Sequence, residues 1–154
     1  SDLSVVRFNV IPANTAPVSH DAAIAVLEDV EVAIDLAALG LDEEGDVLIV
    51  GWGSTTGPIR ESVDRLRTEG HKAACIAMRH MHPMPAKLDT IFNRYKHVIV
   101  TEINDYGVYG YGQLAMLLRA AYALPHIQSV CKTDGLAFRI REIVTGVEKV
   151  LAGN

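Results

Sequence analysis

The chain has 154 residues, 49% of them hydrophobic and 21% charged, a composition that excludes a disordered polymer and suits one domain with its own core. Fourteen basic and 19 acidic residues give a formal net charge of −5, which argues against nucleic acid or an anionic membrane as partner, since both need clustered positive charge. No apolar run reaches the roughly 20 residues of a membrane span and no charged-then-apolar leader is visible, so the expected setting is the cytoplasm.

In chain order, residues 5–11 read as a strand, with Pro12 and Pro17 bracketing a polar turn. From Ser19 the pattern predicts a helix over 22–39, capped by Ser19 or Asp21 and closed by Gly40. Its polar stripe is narrow (Glu28, Glu31, Asp35), so most of its circumference must be covered. The run 30–34 also alternates, which leaves a strand open there. Residues 46–52 (DVLIVGW) are an apolar run of the buried parallel-strand kind, followed by a turn at Gly53-Ser54-Thr55 and a helix opened by Pro58. A second strand is expected at 72–78 and a proline-bearing loop at 79–85. Leu88, Ile91, Phe92 and Tyr95 mark a helix, and 97–103 a third strand. A glycine–tyrosine loop at 104–112 leads to a helix carrying Leu114, Leu117 and Leu118, which Pro125 ends. Residues 126–132 are a fourth strand, and Ile140, Ile143, Val144 and Val147 line a last helix. Alternating strands and helices imply a three-layer αβα domain with a mostly parallel sheet. We expect residues 1–154 to form one domain, with 46–154 as its α/β core and 1–45 less firmly assigned.

Sites in such sheets lie beyond the C-terminal strand ends. There the sequence puts Gly53, Ser54, Thr55, Arg79, His82, Glu102 and Asn104, followed by Lys132 and Thr133. These groups suit an anion beside a helix N-terminus, and equally suit helix caps and loop backbone. Gly51, Gly53 and Gly57 lack the third glycine of a dinucleotide fingerprint, since Thr56 stands there, and Trp52 crowds the turn. His80 and His82 have no third metal ligand at a fitting spacing, so no metal site is expected. Cys75 and Cys131 form no CxxC motif and read as buried, reduced thiols. No nucleophile elbow is present, and no catalytic residue is assigned. Tyr106, Tyr109 and Tyr111, with Gln113, form either a partner contact or an ordered loop packed on its own surface.

Several of these stretches together resemble one family. Residues 49–57 (IVGWGSTTG), the helix over 59–66 and Glu69-Gly70-His71-Lys72 are similar to the C-terminal transketolase-like domain of 2-oxoacid:ferredoxin oxidoreductase alpha subunits. The similarity continues through His82-Pro83-Met84-Pro85, Glu102-Ile103-Asn104, Gly112-Gln113-Leu114 and Arg119. It ends with Lys132, Gly135, Phe138 and Glu142-Ile143, so it spans about 46–145. Glu102 and the Gly-Gln-Leu run resemble the 2-oxoglutarate branch. Two departures are the loop lengthened by residues 105–110, and Ala137 where the family has proline. The resemblance implies a transketolase C-terminal-like fold and a non-catalytic assembly role. The whole enzyme would decarboxylate a 2-oxoacid oxidatively, using coenzyme A, thiamine diphosphate, Mg²⁺ and iron–sulfur clusters, with ferredoxin as electron acceptor. No cofactor is expected in this chain, since it has no Gly-Asp-Gly motif and only two cysteines. Other domains and subunits are the expected partners, and exposure of their contact face would favour a homodimer. The chain opens at Ser1 rather than Met, which fits a piece of a longer polypeptide. The alternative is a stand-alone small-anion or nucleotide-binding α/β domain.

Overall fold

A computed structural model describes residues 4–11, 20–26, 45–78 and 81–153. Among these residues six strands form one sheet: β1 (Ser4–Ile11), β2 (His20–Val26), β3 (Gly45–Trp52), β4 (Ala73–Met78), β5 (Tyr95–Glu102) and β6 (Ile127–Cys131). Their order is β2-β1-β4-β3-β5-β6. The strands β4, β3, β5 and β6 run parallel, while β1 pairs antiparallel with both β2 and β4. The helices are α1 (Thr56–Thr68), α2 (Leu88–Phe92), α3 (Gln113–Tyr122) and α4 (Ile140–Leu151).

Because side chains alternate along a strand, β3 sends Val47 and Ile49 to one face and Leu48 and Val50 to the other. All four are fully buried. The first pair packs with α1 and α4 residues (Ile59, Val63, Leu66, Ile143, Val147), the second with α2 and α3 residues (Leu88, Phe92, Leu114, Leu118). Burial on both faces explains why β3 reads as an unbroken apolar run. Each such side chain contributes roughly 1.5–3 kcal/mol. Gly51 lets α1 sit down on the end of β3, because a Cβ there would collide with the Ile59 side chain.

The expected α/β architecture with a mostly parallel sheet is present. The predicted helix over 22–39 is not intact: residues 20–26 form β2, in register with β1 from Ser4↔Val26 to Val10↔His20. Pairing with β1 satisfies one edge of its backbone and overrides the helical preference of its alanines. Residues 27–39, and the turn between Pro12 and Pro17, lie outside the described residues. Helix α2 is shorter than its apolar spacing predicts. Tyr95 shares the helical period but already belongs to β5, pairing with Gly45.

Candidate functional site

The strand-end rim is built largely by groups that satisfy one another. After β3 the chain makes a single 3₁₀ turn at Gly53–Thr55, with Gly53 at φ 60°. The buried Thr55 hydroxyl donates to the Trp52 carbonyl at 2.8 Å and accepts from the Trp52 N–H at 3.1 Å. Thr55 thereby locks the turn, while Ser54 stays exposed. Arg79 and His80 lie outside the described residues, and His82 is exposed in the following loop.

Glu102, at the end of β5, is fully buried. Its carboxyl oxygens accept from the N–H groups of Leu114 at 2.9 Å and Ala115 at 3.1 Å. The protein thus supplies its own anion-type cap to the N-terminus of α3, where unpaired N–H groups and the positive end of the helix dipole meet. Gly112 makes this approach possible, since a Cβ there would fall onto the Glu102 carboxyl and within 2.9 Å of the Cys131 sulfur.

The Asn104 side chain accepts from the Asp105 N–H at 2.9 Å, and Asp105 accepts from the Gly107 N–H at 2.8 Å. The second is a side-chain turn, and the two bonds together order the start of the loop after β5. Its three tyrosines have different fates. The Tyr106 hydroxyl accepts from the Cys131 N–H at 3.0 Å. Tyr111 lies under the Arg119 guanidinium at 4.2 Å, and the same guanidinium donates to the carbonyls of Pro125 and Ile127. Tyr109 projects outward, 75% exposed, beside Val108 at 95%. Gln113, the first residue of α3, is exposed.

Beyond β6, Lys132 binds Glu142 at 2.7 Å and Asp134 at 3.2 Å, and donates to the Ala137 carbonyl. The hydrogen bond from Lys132 holds the Glu142 carboxyl below its usual range, and Glu142 in return raises Lys132. Asp134 is lowered first by the Leu136 N–H and then by Lys132. This network pins the loop to the start of α4. Burial pushes the Cys75 and Cys131 thiols up to about 11, so both are protonated at neutral pH and poor nucleophiles. Among the described residues no group of three His, Cys, Asp or Glu side chains converges on a metal-sized site, and no helix is long and apolar enough to cross a membrane.

Of the rim residues expected from the sequence, Glu102 and Thr55 serve internal bonds, and Ser54, His82 and Asn104 are at least partly accessible. Sequence reasoning passed over the cleft of about 500 Å³ between Trp52, Arg60 and Met81. The one signal for it was a tryptophan in a strand-to-helix turn, where a small residue is the usual choice.

Among the described residues this is an α/β domain with a four-stranded parallel core and two helices on each face, in which Thr55, Glu102 and Lys132 at the strand ends serve internal bonds. Residues 45–143 match the family model "Pyruvate:ferredoxin oxidoreductase core domain II", and the chain belongs to that family. It is 35% identical over 140 residues to the 2-oxoglutarate oxidoreductase subunit KorA of Mycobacterium tuberculosis, covering 89% of this chain and 20% of that protein. It is 34% identical over 116 residues to subunit alpha of 2-oxoacid:ferredoxin oxidoreductase 2 from Aeropyrum pernix, covering 75% of this chain and 17% of that one. The chain therefore spans about a fifth of the length of these curated relatives. Among solved structures it is similar to the 2-oxoglutarate:ferredoxin oxidoreductase of Magnetococcus marinus, which has 2-oxoglutarate, coenzyme A and succinyl-CoA bound. The TM-score is 0.61 with 35% identity, over 70% of this chain and 18% of that chain.

Proposed function

We propose that this chain is a non-catalytic assembly domain of a cytoplasmic 2-oxoacid:ferredoxin oxidoreductase whose substrate is 2-oxoglutarate. Family membership and the two 2-oxoglutarate enzymes among its relatives support the reading. The single observation that carries the assembly role is the character of the strand-end rim. Its buried carboxylate caps the chain's own helix, whereas Ile103, Tyr106, Val108, Tyr109 and Leu136 expose apolar surface. A surface of that kind suits contact with another protein surface better than a small polar substrate.

Thiamine diphosphate with Mg²⁺, the iron–sulfur clusters, and the sites for coenzyme A and ferredoxin then belong to other parts of the enzyme. The donors in this chain do not fit them. No Gly-Asp-Gly run occurs in the sequence. Cys75 and Cys131 stand on β4 and β6, with β3 and β5 between them, and a cluster needs about four thiolates. Calorimetric titration of thiamine diphosphate and Mg²⁺ into the chain is expected to give no binding heat. Saturable binding tighter than about 100 µM, on the order of −5.5 kcal/mol, would refute the non-catalytic assignment.

A further inference from the structure

The cleft at the ends of β3 and β4 has two unlike walls. Trp52, Ala77, Met78 and Met81 form an apolar wall, and α1 supplies Thr56 and Arg60 on the other side. Trp52 is 41% exposed, unusual for the largest apolar side chain of a domain. None of the described lining residues is acidic, in a chain whose net charge is −5. The Arg60 Nε is shut off from water and has no hydrogen-bond acceptor among the described residues. A buried donor without a partner is costly, and the same side chain lines the cleft. Helix α1 adds to the positive potential, since its first turn has no acidic residue and no side-chain cap. The volume, about 500 Å³, is that of a small-ligand site.

We infer that this cleft binds a small organic anion. Its carboxylate or phosphate bonds Arg60, and its flat or apolar body lies against Trp52, Met78 and Met81. Guanidinium suits such a group because its planar fork pairs with two oxygens at once. None of residues 103–111 lines the cleft, and the site does not depend on the assembly role. Thr55, which the sequence placed on the rim, contributes only by fixing the turn that presents Trp52.

Trp52 is the chain's one tryptophan, so its emission reports on the cleft directly. Phenyl phosphate titrated into the chain is expected to change that emission saturably. Inorganic phosphate, which lacks the apolar body, is expected to bind at least tenfold more weakly, and Arg60→Gln to weaken phenyl phosphate at least tenfold. Absence of a saturable change, equal affinity for the two phosphates, or unaltered binding by Arg60→Gln would each overturn the proposal. If Arg60→Gln does not fold, Met81→Glu serves instead, by placing a carboxylate in the apolar wall. It must abolish the same titration, and unchanged binding by that variant equally overturns the site.

Discussion

Glu102 satisfies two buried backbone donors at once. Removing its carboxyl leaves the Leu114 and Ala115 N–H groups buried without acceptors. Glu102→Ala is therefore expected to lower stability by about 1–3 kcal/mol, read as a lower urea midpoint with an unchanged slope. Gly112→Ala attacks the same contact from the other side, because its Cβ would enter the carboxyl's space. It is expected to cost about 1–3 kcal/mol by overpacking. The two losses should add only in part, since the carboxyl that the new Cβ meets is absent in the double variant while the approach to the Cys131 sulfur remains. Full additivity would mean that Gly112 acts through contacts other than Glu102. The sequence revealed a polar residue at a strand end but not where it points. Its partners lie 12 and 13 residues further on, and only the folded turn at Gly112 brings them back.

At the scale of elements, Arg119 joins three pieces: the Tyr111 loop, the end of α3 and the start of β6. Arg119→Ala is expected to destabilise the domain by about 1.5–3 kcal/mol, with Arg119→Lys recovering only part, because one ammonium cannot both stack on the ring and reach two carbonyls. Thermal melts of the two variants measure this. The four parallel strands were legible because burial on both faces forces continuous apolar runs such as 47–50. The segment 20–26 was not, because its alanines favour helix and the choice is made by pairing with β1, which a local pattern does not display. The rim tyrosines were undecidable for a similar reason. A loop's hydrogen bonds depend on the strand it folds over, as Tyr106 does over Cys131.

For the whole molecule, the paired charges set the pH range of stability. The Lys96 hydrogen bond, followed by the Lys72 N–H, holds Asp46 below its usual value, and Lys132 does the same for Glu142. A carboxyl lowered in the folded state contributes stability above its unfolded value, about 4, and loses it as pH falls through the folded value. Lys132 and the two thiols are raised. Their contributions are complete below the unfolded values, roughly 8.5 for cysteine and 10.4 for lysine, and are lost as pH rises through the folded ones. These groups together predict a melting temperature that is flat between about pH 4.5 and 8.5 and falls on either side. A steep change between pH 5 and 7 would show that another group governs stability.

If the chain assembles as proposed, another protein surface covers the apolar rim at residues 103–111 in the complete enzyme. Hydrogen exchange over residues 103–111 tests it, measured once in this chain alone and once in the assembled enzyme. Strong protection of that segment is expected in the enzyme, with α1 and α4 as internal references. Equal exchange in both would contradict it, because the rim would then face solvent in the very assembly it is proposed to build.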